Sequence, residues 1–76
     1  MNRTVVWTSK FKKDYKLAKK RSKDMSLVHD CIDMLRTRQQ LPAKYRDHIL
    51  TGNYKGYREC HVQPDWLLVY RIEVMI

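Results

Sequence analysis

The second half of the sequence contains the side chains best suited to acid–base chemistry: His48, His61 and Asp65. Cleaving RNA without a metal requires a base that removes the proton of the 2′-hydroxyl and an acid that protonates the leaving 5′ oxygen. Histidine can serve in either role near neutral pH. Two aromatic residues, Tyr57 and Trp66, lie close by in the sequence, and an aromatic ring can hold an unstacked base. The residue types therefore permit RNA chemistry without being specific for it.

Each of these residues also has a simpler interpretation. Two histidines and a carboxylate can bind zinc, but no fourth ligand stands at a usual spacing, so neither a metal nor another cofactor is predicted. Taken alone, His48 is typical of a surface loop, and Trp66 at the start of an apolar run is typical of a core. A third histidine, His29, is out of step with the apolar stripe of its helix and is predicted to face solvent.

The residues before position 42 predict a strand and two helices. Residues 4–7 are β-branched or aromatic, which favours a strand. A helix is predicted over residues 9–20, capped by the hydroxyl of Thr8 or of its neighbour. A second helix is predicted over residues 25–36, capped by Asp24, so the two form a helical hairpin.

After a predicted loop over residues 43–55, the sequence indicates a β-hairpin. Its strands are residues 56–62 and 66–72, with Pro64 presetting the turn. The second strand is nearly all apolar, which is typical of a central strand covered on both faces. The fold class predicted is α+β: an N-terminal strand, a helical hairpin and an antiparallel β-hairpin packed on it, in one domain over residues 1–76.

These elements are expected to bring the candidate residues together. Alternation along the first hairpin strand places Tyr57, Glu59 and His61 on one face. His61 ends that strand and Asp65 lies in the turn, so their side chains are predicted to be close. His48, in the preceding loop, is predicted to fold over the same end of the hairpin.

The excess of positive over negative charge lies entirely at the beginning of the chain. The formal net charge is +8, and residues 1–23 contain nine basic residues and one acid, whereas basic and acidic residues balance in the remainder. A one-sided positive surface points to a polyanion, whether nucleic acid, anionic membrane or acidic protein. Six of these cations lie in the first predicted helix: Lys10, Lys12, Lys13, Lys16, Lys19 and Lys20.

The cysteines and the apolar segments indicate an intracellular protein. Cys31 and Cys60 are far apart in the sequence and are predicted to be buried free thiols in a reducing cytoplasm. No signal peptide and no apolar run of about 20 residues is present.

Most of the sequence resembles the YafQ branch of the RelE/ParE superfamily. The likeness covers residues 4–73, and the stretch from Asp47 to Tyr70 is the specific part. The matching segments are residues 11–18, 24–25, 44–48, 50–52, 54–59 and 61–70.

The resemblance implies a toxin of a type II toxin–antitoxin system. Such toxins enter the 30S A site of the ribosome and cleave the translated mRNA without a metal, and an acidic antitoxin of the RelB or DinJ kind neutralises them. It implies a cytoplasmic protein with no membrane partner. His48, His61 and Asp65 match the proton carriers of the family, and Trp66 matches a residue that positions the substrate. Tyr57 and Arg58 are assigned with Trp66 to substrate binding, and the six lysines to the ribosome and its RNA.

The resemblance has one departure. The family continues after Glu73 with another strand, which supplies a further active-site histidine and an aromatic residue, whereas this sequence ends at Ile76. The expected fold is RelE-like without that strand. An alternative is therefore a shortened, catalytically impaired relative that still binds antitoxin or RNA. A gyrase-poisoning relative ranks lower, because the set of His48, His61, Asp65 and Trp66 fits RNA chemistry.

Overall fold

The protein, in a computed structural model that describes residues 2–73, contains two helices followed by three strands. The chain divides into two compact units, Met1–Gln40 and Leu41–Ile76. The elements are α1 (Ser9–Lys20), α2 (Met25–Arg36), a 3₁₀ turn (Ala43–Tyr45), β1 (His48–Ile49), a second 3₁₀ turn (Gly52–Tyr54), β2 (Arg58–Gln63) and β3 (Trp66–Tyr70). The predicted α+β class is confirmed. The prediction of a single domain over residues 1–76 stays a prediction.

Both helices of the first unit begin and end where the sequence predicted. The Oγ1 atom of Thr8 accepts a hydrogen bond from the backbone N–H of Phe11 at 3.1 Å. Asp24 accepts one from the N–H of Ser26 at 3.1 Å and another from the hydroxyl of Ser26 at 2.6 Å. These side chains satisfy amides that have no partner inside the helix, which is why the helices begin there.

The predicted N-terminal strand is wrong for the residues that the structure describes. Residues 4–7 form no strand and belong to no sheet. Before them, Arg3 donates from its backbone N–H to the carbonyl of Arg36 at 2.7 Å and from Nη1 to the carbonyl of Leu35 at 2.6 Å. Those carbonyls lie in the last turn of α2, beyond the reach of a further helical turn, and that of Leu35 also accepts from the N–H of Arg38 at 3.3 Å. Side-chain preference for extended backbone is not enough for a strand without a partner strand.

An aromatic cluster connects this N-terminal segment with both helices. The Trp7 ring lies 5.0 Å from that of Phe11 and 5.2 Å from that of Tyr15, between centroids. His29 of α2 is exposed, as predicted, but its Nε2 lies 2.7 Å from the hydroxyl of Tyr15. The cluster therefore anchors Trp7, at the end of this segment, without a strand.

The second unit is built on a three-stranded antiparallel sheet in the order β1-β2-β3. The prediction that the last strand is central is wrong for the described residues, because β2 is central and β3 lies at the edge. The reason is that residues 48–49, predicted as part of a loop, form β1 and pair with the other side of β2. In β3 only Leu68 is buried, whereas Leu67 and Val69 remain 46% and 45% exposed.

The buried residues of each unit are few. In the first unit Val28 and Cys31 of α2 are buried. In the second unit the buried residues are Leu41, Tyr45, Cys60, Val62 and Leu68. Both cysteines are free thiols and buried, as predicted. Neither helix in residues 2–73 has the length and apolar character needed to cross a membrane.

The cap of α1 gives a stability prediction. Thr8→Ala removes the side-chain acceptor for the Phe11 amide and is expected to lower the free energy of unfolding by about 1 kcal/mol. Urea denaturation followed by circular dichroism measures it. Thr51→Ala is the matched control, because Thr51 precedes a 3₁₀ turn without a side-chain capping bond and is exposed. An equal loss in both variants would contradict the capping role.

Candidate active site

Two histidines and a glutamate converge on one face of the sheet, which we call the outer face. His48 of β1 pairs directly with Glu59 of β2, and His48 Nε2 lies 3.4 Å from Glu59 Oε1. The imidazole rings of His48 and His61 are 6.2 Å apart between centroids. One donor atom of each of the three side chains lies within 4.8 Å of the others. The structure thus brings His48 and His61 together, as the sequence predicted.

Backbone carbonyls fix the orientation of both imidazoles. His48 Nδ1 lies 2.8 Å from the carbonyl oxygen of Arg46, and His61 Nδ1 lies 3.2 Å from that of Pro64. When Nδ1 carries the proton and donates to the carbonyl, Nε2 of His61 is left to exchange protons, and Nε2 of His48 faces the Glu59 carboxylate. Arg46 has a left-handed backbone with φ of 47°, which is uncommon outside glycine. The chain therefore bends sharply just before β1.

Asp65 is not part of this cluster. It lies exposed in the turn between β2 and β3, next to the Pro64 carbonyl that faces His61. The carboxylate that stands beside the histidines is that of Glu59. The sequence held a signal for Glu59, because strand alternation places it on the same face as His61, but we assigned it no role on that basis. The prediction that Asp65 carries protons is not tested by its position.

The aromatic residues assigned to substrate binding have their own contacts. Tyr57 precedes β2, with the Arg71 guanidinium 4.9 Å from its ring centroid and the Tyr54 ring at 6.5 Å. Trp66 begins β3 opposite Gln63 and is half-buried. Their roles toward a substrate stay predictions.

Arg58, also assigned to substrate binding, lies on the opposite face of the sheet with an ionic partner. Its Nε and Nη2 atoms donate to the carboxylate of Asp47 at distances of 3.0 to 3.3 Å, and the Tyr70 hydroxyl donates to the same carboxylate. We call these three residues the Asp47 network. Residues paired across strands project to the same face, and Arg58 pairs with Tyr70, whereas Glu59 pairs with His48. The network therefore lies behind the outer face.

The network changes the acid–base properties of its members. Burial, together with the hydrogen bond to Asp47, raises the pKa of Tyr70 well above its usual range. The hydrogen bond to Asp47 also raises the pKa of Arg58. Tyr70 therefore remains a protonated donor, and Arg58 a cation, at every pH at which the protein would work. Sequence reasoning missed the network because its members are 11 and 23 residues apart.

The lysines of α1 are all exposed. Among the described residues, the one ion pair that involves them joins Lys10 to Asp14 at 3.7 Å. An exposed pair of this kind contributes little to stability. The positive charge of this helix is thus available to an external anion.

Comparison with known proteins gives consistent matches. Residues 3–76 match the family described as "Bacterial toxin of type II toxin-antitoxin system, YafQ". The mRNA interferase toxin YafQ of Escherichia coli K12 is 42% identical over 73 residues, which cover 95% of this chain and 79% of that protein. The toxin in the E. coli DinJ–YafQ toxin–antitoxin complex has a TM-score of 0.87 at 42% identity, over 96% of this chain and 81% of that one. A metal-bound toxin from Helicobacter pylori has a TM-score of 0.81 at 45% identity, over 87% of this chain and 73% of that one.

Two helices followed by a three-stranded antiparallel sheet are thus the fold of small bacterial toxins of the RelE-like class. Within that class, the chain belongs to the YafQ family of type II toxin–antitoxin systems. The predicted RelE/ParE ancestry, the YafQ branch and an antitoxin as partner are confirmed.

The raised pKa of Tyr70 gives a prediction at alkaline pH. Because the folded state holds the phenolic proton more tightly than the unfolded state, stability is complete below the ordinary pKa of 10.0 and falls as pH rises through the raised value. Tyr70→Phe is expected to remove the last phase of tyrosinate absorbance in a pH titration at constant temperature. Tyr54→Phe is the control, because Tyr54 is 61% exposed. Loss of the same phase in both variants would contradict the assignment.

Proposed function

We propose that this chain is a ribosome-dependent endoribonuclease that cleaves translated mRNA as the toxin of a type II toxin–antitoxin pair. The observation that carries the proposal is the convergence of His48, Glu59 and His61 on the outer face. The name of the E. coli relative, an mRNA interferase toxin, supports the same reaction. The site of action would be the cytoplasm, where translated mRNA is found.

The reaction that this geometry supports is an internal transesterification. One imidazole removes the proton of the 2′-hydroxyl, whose oxygen attacks the adjacent phosphorus. The bond from phosphorus to the 5′ oxygen breaks, and the second imidazole, protonated, donates its proton to that oxygen. The products are a 2′,3′-cyclic phosphate and a 5′-hydroxyl, and no redox partner or metal is needed. With ring centroids 6.2 Å apart and donor atoms within 4.8 Å of one another, both imidazoles can contact oxygens of the same phosphate group.

Glu59 would assist His48 in this reaction. Its carboxylate lies 3.4 Å from His48 Nε2 and is only 20% exposed. A carboxylate in that place can accept a hydrogen bond from the protonated ring and orient it. Asp65 in the neighbouring turn remains our candidate for a further proton carrier, and Trp66 for stacking on a base.

The lysines of α1 would bind ribosomal RNA. All six are exposed and only Lys10 has an acidic neighbour within the described helix. Binding of cations to phosphates releases counterions, so the affinity falls with salt. An antitoxin of the DinJ kind, as in the E. coli complex, would neutralise the toxin.

Removing one imidazole should abolish cleavage. His61→Ala is expected to lower the rate of mRNA cleavage by about 10²- to 10⁴-fold, the usual contribution of a general acid or base. Mapping mRNA ends in growing cells that express the chain measures it. The control is His29→Gln, which changes a histidine that lies in the other compact unit. If wild type and His61→Ala gave the same cleavage and the same growth, the proposal would fail. Antitoxin binding by a wild-type chain that does not cleave would instead support the non-catalytic alternative.

The role of the lysines is tested by ribosome binding. Replacing Lys12, Lys13 and Lys16 by glutamine is expected to weaken the affinity and to reduce the slope of its logarithm against the logarithm of salt by roughly 1 for each lost phosphate contact. Sedimentation with 30S subunits at several salt concentrations measures both. Lys55→Gln, at an exposed loop position of the second unit, is the single-site control. An unchanged slope in the triple variant would remove the lysines from the interface.

As a second candidate function, we propose that the same three side chains bind a transition-metal ion that blocks the reaction. Two imidazoles and a carboxylate with donor atoms within 4.8 Å of one another match the ligand set of zinc or copper. The H. pylori toxin of similar structure is metal-bound. An ion held there would occupy the lone pairs that proton transfer needs.

Calorimetry with Zn²⁺ tests this second candidate without any cleavage assay. Wild type is expected to bind one ion, and Glu59→Gln to bind it at least about tenfold more weakly, since loss of a ligand costs 10-fold or more. Asp33→Asn is the control, because Asp33 lies on α2 with a different partner. Equal binding by wild type and Glu59→Gln would exclude the site.

A further inference from the structure

β1 is too short to hold its own position in the sheet. It consists of His48 and Ile49, and both are exposed, with Ile49 at 62%. Its pairing with β2 involves only two residue pairs, followed by a hydrogen bond of 2.9 Å from the Leu50 N–H to the Tyr57 carbonyl. Burial therefore contributes little to holding β1 in place, although β1 carries His48, one of the two imidazoles of the candidate site.

The side chain of Asp47 supplies the missing attachment. Asp47 directly precedes β1, Arg58 belongs to β2 and Tyr70 belongs to β3. The one carboxylate of Asp47 thus accepts hydrogen bonds from both β2 and β3. The Asp47 side chain is 25% exposed and that of Arg58 is 38% exposed, so the pair is partly sheltered from water. A guanidinium that approaches both carboxylate oxygens also fixes the direction of approach.

The two faces of the sheet are coupled residue by residue. Asp47 directly precedes His48 of β1, and Arg58 directly precedes Glu59 in β2. The contact of Asp47 with Arg58 on the back of the sheet therefore places His48 opposite Glu59 on the outer face. Any slip of β1 against β2 would break both contacts together, because side-chain direction alternates along a strand.

We propose that Asp47 is a positioning residue: through Arg58 and Tyr70 it holds the backbone of β1 so that the His48 imidazole stays beside Glu59 and His61. The effect that we expect on the cleavage rate rests on the proposed ribonuclease function. The effect that we expect on the position of the His48 ring does not rest on it. Arg58 then acts through Asp47 and not through the substrate.

The test uses the full chain and three variants. Asp47→Asn weakens the bond to Arg58, Tyr70→Phe removes one donor with little change of shape, and Arg58→Lys keeps the charge but loses the two-pronged contact. Asp33→Asn is the matched control, because Asp33 makes a comparable contact of 2.9 Å with Arg36 on the exposed surface of α2. Circular dichroism verifies that each variant folds.

Two readouts separate positioning from general stability. In the free protein, nuclear Overhauser contacts between the ring protons of His48 and His61 are expected in wild type and in Asp33→Asn, and are expected to be lost or much weaker in Asp47→Asn. In ribosome-dependent cleavage, kcat is expected to fall about 10- to 100-fold with KM nearly unchanged, since small displacements of a reacting group have effects of that size. Tyr70→Phe should show the same pattern to a smaller degree.

Several outcomes would overturn the proposal. One is a folded Asp47→Asn variant with wild-type ring contacts, and another is a folded Tyr70→Phe variant with wild-type ring contacts and wild-type kcat. A rise of KM at constant kcat in Arg58→Lys would assign Arg58 to substrate binding, as the sequence first indicated. If wild type cleaves no mRNA, the proposed function fails, yet the ring contacts of the variants still decide whether Asp47 positions His48.

Discussion

The pairing of β1 with β2 is the interaction on which the candidate site depends. It joins a two-residue edge strand to the centre of the sheet, and it sets His48 opposite Glu59. The position of His48 relative to Glu59 and His61 follows from this register, including the 6.2 Å separation of the two imidazoles. So short a strand cannot rely on burial, and polar contacts on the back of the sheet take over that task. The site is thus an example of precision supplied by hydrogen bonds where a small core cannot supply it.

The features predicted correctly from the sequence are those with local causes. The two helices were found because apolar periodicity and capping residues act within a few positions. The strands were harder, since a strand exists only when a partner is present. Residues 4–7 have the composition of a strand but no partner among the described residues, whereas residues 48–49 have little strand character and do pair. The apolar run of β3 was misread as a central strand because its Leu67 and Val69 are apolar although they face outward.

The same distinction explains what was found of the site. His48 and His61 were visible by residue type, because histidine is the side chain best suited to proton transfer near neutral pH. Glu59 was visible only through strand alternation, and the Asp47 network was not visible at all. Its members are the residue before β1 and one residue each of β2 and β3, and their contact is a consequence of the register. Arg58 looked like a free cation for a phosphate until its partner on the neighbouring strand could be seen.

Charged side chains have different surroundings in the two units. In the second unit three of the four acidic residues have a basic partner: Asp47 with Arg58, Glu59 with His48, and Glu73 with Arg71. In α1 almost no acid accompanies the lysines, so their field is directed outward. A protein that only bound DNA or a DNA-bound enzyme would need the exposed lysines of α1. It would not need the paired acidic and basic residues of the second unit. Electrostatic binding does not need two oriented imidazoles beside a partly buried carboxylate, and here their donor atoms lie close enough to contact one phosphate group. That combination favours RNA cleavage over the gyrase-poisoning alternative.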